Sequence, residues 1–130
     1  DLYIAAKHCK VLMYDGRLDA AQNELDRATK INPTASDLLY EIEGVLKFWQ
    51  HDHQASNDIF KRIKFPDPII SVFEAANNYH LGRIDLAAQK VAEIEGDYGL
   101  SVERLIQDEP YRKEEMKSML EPILKSSALV

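Results

Sequence analysis

The chain has 130 residues, 45% of them hydrophobic and 29% charged, with five glycines, five prolines, one cysteine and a formal net charge of −6. That length makes one domain able to bury a real core, and the composition is that of an ordinary globular protein rather than a disordered one. The acidic balance speaks against a nucleic-acid surface, which needs clustered Lys and Arg, and against binding to anionic membranes.

In chain order, residues 2–14 form a first predicted helix, with Ile4, Ala5, His8, Cys9 and Leu12 at three- and four-residue spacing. Tyr14-Asp15-Gly16 breaks it, since glycine takes the left-handed backbone that closes a helix. Leu18 to Ile31 is the second helix, with the stripe Leu18, Ala21, Leu25 and Ala28, ended by Asn32-Pro33. Thr34 or Ser36 caps a third helix over 37–50, striped by Leu39, Ile42, Leu46 and Trp49. His51-Asp52-His53 reads as an exposed turn, and residues 54–64 return with Ala55, Ile59 and Ile63 inward before Phe65-Pro66-Asp67-Pro68. Residues 69–80 and 84–95 make a third pair around Leu81-Gly82, with Gly96 as the closing cap. After Tyr98-Gly99 the pattern changes. Ser101 caps a short helix with Val102, Leu105 and Ile106 inward; a helix from Glu114 to Leu120 follows, and Pro122 divides it from the apolar Ile123 and Leu124.

One phrase recurs. Gly16-Arg17-Leu18-Asp19-Ala20-Ala21 returns 66 residues later as Gly82-Arg83-Ile84-Asp85-Leu86-Ala87. Two units of about 33 residues are the mark of stacked helical hairpins. The middle pair lacks the turn glycine, and neither a 33- nor a 34-residue offset aligns it throughout. The charged residues of the phrase are expected on the solvated outside, so that it is structural punctuation rather than a site.

Leu12, Gly16, Leu18, Ala21, Leu25, Ala28 and Pro33, with Gly82, Ile84, Ala87, Val91 and Ile94 in the third pair, resemble the tetratricopeptide repeat family. The second pair matches only through Leu39, Ile42, Leu46, Ala55 and Ile59. The resemblance implies an all-α fold: a right-handed superhelical stack of three hairpins over residues 1–97, capped by helices in 98–130. It also implies a concave groove lined by the first helix of each pair. Carried onto this chain, the groove takes Tyr3, Ala6, Lys10, Met13 and Tyr14, then Asp37, Tyr40, Gly44, Lys47 and Phe48, then Ile69, Val72, Ala76, Tyr79 and His80. Lys10, Tyr14, Tyr40, Lys47, Phe48, Tyr79 and His80 are the expected contacts to a protein or peptide partner. The lysine and asparagine pattern by which some family members clamp a C-terminal carboxylate is missing. The apolar Ile69, Val72 and Ala76 call for a cover from the tail, a further array or a partner helix.

The expected function is a non-enzymatic interaction scaffold. Two alternatives stay open: a homo-oligomerisation module, and a regulatory or sensor segment of a larger signalling protein. The second rests on the tail, where Pro110-Tyr111 and Leu124 to Leu129 resemble the end of bacterial regulators with adenylate-cyclase or winged-helix domains, and on the lack of an initiator Met, read as the mark of a fragment. No catalytic, cofactor or metal site is expected. His51, Asp52 and His53 are too few to hold zinc, adjacent His8 and Cys9 diverge on a helix, and the acid pairs lie on solvated faces. No apolar run reaches the roughly 20 residues of a membrane span, and no secretion signal opens the chain. With one cysteine the chain makes no internal disulfide, which fits a cytoplasmic setting.

Overall fold

A computed structural model describes residues 2–31, 33 and 36–128. Every regular element among them is helical: α1 Leu2–Tyr14, α2 Leu18–Ile31, α3 Asp37–Trp49, α4 His53–Phe60, α5 Pro68–His80, α6 Ile84–Asp97, α7 Val102–Gln107, α8 Glu114–Leu120 and α9 Pro122–Ala128. The fold is all-α. The expected stop at Asn32, the alternative cap Thr34 and the tail residue Leu129 lie outside the described residues.

The first six helices form three antiparallel pairs, in which residues at similar distances on either side of each turn meet. Cys9 Sγ lies 3.8 Å from the Ala21 carbonyl, Ser56 Oγ donates to the Gly44 carbonyl at 2.7 Å, and Lys90 Nζ sits 3.6 Å from Glu74. Cys9, Gly44 and Ala75 hold one small, buried position on α1, α3 and α5. The partner helix comes so close there that a Cβ on Gly44 would run into the Phe60 ring.

All three turns are built alike. Gly16 and Gly82 hold φ of 76° and 81°, and in the middle pair His51 takes the same left-handed conformation at 65°. The N–H of Gly16, His51 and Gly82 donates to the carbonyl three residues back, of Met13, Phe48 and Tyr79. The next N–H reaches five back, to Leu12, Lys47 and Asn78. This double bond satisfies carbonyls left open at a helix end. The true register therefore runs from Gly16 to His51 to Gly82, at spacings of 35 and 31 residues. Their total hides the unequal halves, which is why neither 33 nor 34 aligns the middle pair.

Other boundaries depart from expectation for local reasons. The Asp37 carboxylate accepts the N–H of Lys64 at 2.9 Å and of Phe65 at 3.0 Å, drawing the chain out of helix early, so α4 stops at Phe60. Gly96 lies inside α6 rather than closing it; Gly99 takes the positive φ, at 64°. On α1 the buried face is Ala6, Cys9, Leu12 and Met13, while Ile4 and His8 are exposed. Ser36 and Ser101 cap α3 and α7 as expected, and Pro122 divides α8 from α9. Arg17, Asp19, Arg83 and Asp85 are all exposed.

The C-terminal helices pack back on the third pair. α9 lies chiefly against α6, while α7 and α8 lie against α5. Val102, Ile106, Tyr111, Met116, Leu120 and Ile123 join the same continuous core as Leu12, Leu46 and Phe73.

Candidate functional site

The register places Tyr14, Trp49 and His80 at one position, the last residue of α1, α3 and α5. All three touch the C-terminal segment. The Tyr111 ring stands edge-on to Tyr14, centroids 4.9 Å apart, and to Trp49 at 4.7 Å. Trp49 Nε1 donates to the Tyr111 hydroxyl at 3.2 Å, and His80 Nε2 lies 2.7 Å from the Met119 carbonyl. The Arg112 N–H donates to the Tyr14 carbonyl at 2.9 Å, and its guanidinium lies 3.1 Å from Asp15. The Lys113 stem lies over Gly16, in the space a Cβ would need. Residues 108–113 thus cross the ends of α1 and α3 as a non-helical strap. Lys117 Nζ, donating to the Gln107 carbonyl at 3.1 Å, draws its two ends together.

Beneath the strap, Lys10, Met13, Tyr14, Glu41, Ile42, Val45, Ile69 and Phe73 line a cleft closed by Glu109 and Tyr111. Lys10 Nζ lies 3.6 Å from Glu41. Burial pushes the Glu109 carboxyl above its ordinary value; Lys10 opposes this and Glu41 adds to it. Burial also raises Tyr14 and, further, Tyr111, with the Glu109 charge contributing to both. Both phenols stay neutral, which keeps Tyr111 a hydrogen-bonding group inside an apolar slot.

Of the expected contact residues, Lys10, Tyr14, Tyr79 and His80 lie on α1 and α5 in the corrected register of this face. In α3 the expected set is shifted by one residue, about 100° around a helix. Tyr40 lies under Arg62, 6.0 Å from its ring centroid, on the side covered by the end of α4. Lys47 shares a register position with Leu12 and Asn78. Leu12 lines a hollow with Ala20, Asn23 and Glu24 of α2, and Asn78 accepts from Asn57 of α4, so this position looks toward the second helices. Gly44 faces Phe60. Phe48 is wholly buried, ringed by Trp49, His53 and Phe73, and offers no surface to a partner. Glu41, Val45 and Trp49 occupy the face instead. Trp49 is buried in the core, as its place on the α3 stripe predicts, and counting back from the His51 turn also places it at the position of Tyr14 and His80.

A second polar cluster lies at the α3–α4 turn, and only part of it is the solvated turn expected. His53 is buried, its ring stacked on His80 at 4.7 Å. Asn77 donates both amide hydrogens, to Ser56 and Asn57 at 2.9 Å each, so its oxygen faces His53 Nδ1 at 2.8 Å and that nitrogen carries the proton. Burial lowers the His53 pKa, which keeps the ring neutral. Burial, with Glu24, pushes the Cys9 thiol up to about 11, far from a reactive thiolate at neutral pH. Among the described residues no three His, Cys, Asp or Glu side chains converge as a metal site, and no helix is long and apolar enough to cross a membrane. No family model matches the chain, nor does any curated protein or solved structure.

Proposed function

We propose that the chain is a tetratricopeptide-like interaction module, a right-handed superhelical stack whose α1, α3 and α5 face holds an extended polypeptide segment. Three observations support the family reading: the identical turns, the small residues Cys9, Gly44 and Ala75 at each helix crossing, and the alternation of short and long connections. One observation carries the functional reading. Residues 108–113 already lie across this face, held by a backbone hydrogen bond to Tyr14 and a ring seated between Tyr14 and Trp49. A face that grips one strand of polypeptide through an open helix-end carbonyl has the chemistry to grip another. The module works by binding, without a catalytic step. Selection of a random displayed peptide library on the immobilised chain should enrich binders that Lys10→Glu and Tyr14→Ala release. Enriched binders indifferent to both changes would place binding elsewhere.

A second reading, self-association, is favoured by the outer face of the first pair. Leu39 and Ile70 are buried, but their equivalent Ile4 is 67% exposed; Leu46 is buried, but its equivalent Val11 is 60% exposed. Tyr3 and Ile31 extend the apolar surface. Under this reading light scattering gives a dimer that Ile4→Glu converts to monomer; a monomer across a wide concentration range removes it.

A further inference from the structure

The strap over α1 and α3 also describes the ligand. Resting on the reading that this face binds polypeptide, we propose that it recognises an extended segment with a central tyrosine and a basic residue after it. Residues 109–112 fill the site within the chain, and a partner segment of the same chemistry binds by displacing them.

Each element of the pattern has a counterpart in the site. The tyrosine enters the slot between Tyr14 and Trp49, its ring edge-on to both and its hydroxyl taking the indole N–H. A phenylalanine would fill the slot but leave that N–H without its acceptor, so the slot selects tyrosine. The following backbone N–H meets the Tyr14 carbonyl, an acceptor at the open end of α1 that reads no side chain. The basic side chain after the tyrosine pairs with Asp15.

The strap is built to leave. Its helix-type backbone bonds lie only at its two ends, from Asp108 to Arg104, from Glu109 to Ile106 and from Met116 to Lys113, and Tyr111 is its only buried side chain. The helices on either side are anchored separately, through Val102 and Ile106 before it and Met116, Leu120 and Ile123 after it. With its ends drawn together by Lys117, the loop can swing out while the flanking helices stay docked. Glu109 weakens its seat at neutral pH, since burial disfavours its charged form.

The test uses the full chain and a synthetic peptide copying residues 107–113, Gln-Asp-Glu-Pro-Tyr-Arg-Lys. The probe is the indole N–H resonance of Trp49, the only tryptophan. In Tyr111→Ala, which empties the slot, the peptide should shift this resonance saturably. The wild type should respond at least about tenfold more weakly, because its free site is limited to the open fraction. A peptide with alanine in place of tyrosine should do nothing. No response in a folded Tyr111→Ala chain, or equal responses in variant and wild type, would overturn the proposal. If Tyr111→Ala does not fold, Arg112→Glu, which breaks only the exposed clamp to Asp15, replaces it and should bind more tightly than wild type; affinity no better than wild type counts against the proposal. Library binders that need Lys10 and Tyr14 but carry no tyrosine would overturn this pattern and leave the broader reading intact. Failure of every peptide to bind the face would remove both.

Discussion

At His51 the backbone holds φ 65° where the other two turns have glycine. An L-residue with a full side chain is strained there by roughly 1–2 kcal/mol, part of which glycine gives back through its freer unfolded chain. His51→Gly should therefore stabilise the fold by about 1 kcal/mol in urea denaturation; a loss of stability would show that the histidine ring contributes more than its backbone costs. Glu109 is a second strained residue, this time electrostatically. Its folded pKa is raised, chiefly by burial. Its favourable contribution is thus complete below the unfolded carboxylate value of about 4.3 and is lost as pH rises through the folded value. Glu109→Gln should raise the urea midpoint at neutral pH and leave it nearly unchanged near pH 3.5, a difference read from two denaturation curves. His53 works with the opposite sign. Its pKa is lowered, so its contribution is complete above about 6.5 and is lost as pH falls toward the folded value.

At the scale of elements, the crossing of α3 and α4 is the tightest contact built on a single missing atom. A methyl on Gly44 meets the Phe60 ring, itself buried, so Gly44→Ala should cost about 1–3 kcal/mol despite alanine's better helix propensity. Thermal melts check this, and a neutral result would mean that the ring can move aside. Most helix limits were legible because local chemistry sets them: Gly16 and Gly82 at the turns, Ser36 and Ser101 at the caps, Pro122 between α8 and α9. The middle pair was not, because its turn is marked by a histidine that only the backbone conformation reveals. A one-residue slip in α3 followed, which put Lys47 on the candidate face and left Trp49 off it; Phe48 keeps a position of this face, that of Met13 and Tyr79, but is buried. The short α4 was hidden for another reason: its end is set by Asp37, a residue 27 positions before Lys64.

Over the whole molecule, the first six helices and the C-terminal segment share one core. Amphipathic spacing announced α7, α8 and α9 as helices, but it carried no sign of where they dock. Only tertiary packing shows that Tyr111 reaches back to α1 and α3 while Ile123 is buried in the same core on the α9 side. A chain ending at residue 97 would uncover apolar groups of α5 and α6. It should show broad, non-cooperative melting and bind a hydrophobic dye, whereas a sharp transition would mean that the three pairs fold without their cover. The C-terminal segment sits on the face of α1 and α3 through Tyr111 and Trp49. A double-mutant cycle of Trp49→Phe and Tyr111→Phe in urea denaturation tests it most directly. Contact predicts a coupling of about 0.5–1.5 kcal/mol, the net worth of one buried hydrogen bond. Additive losses, with no coupling, would contradict it.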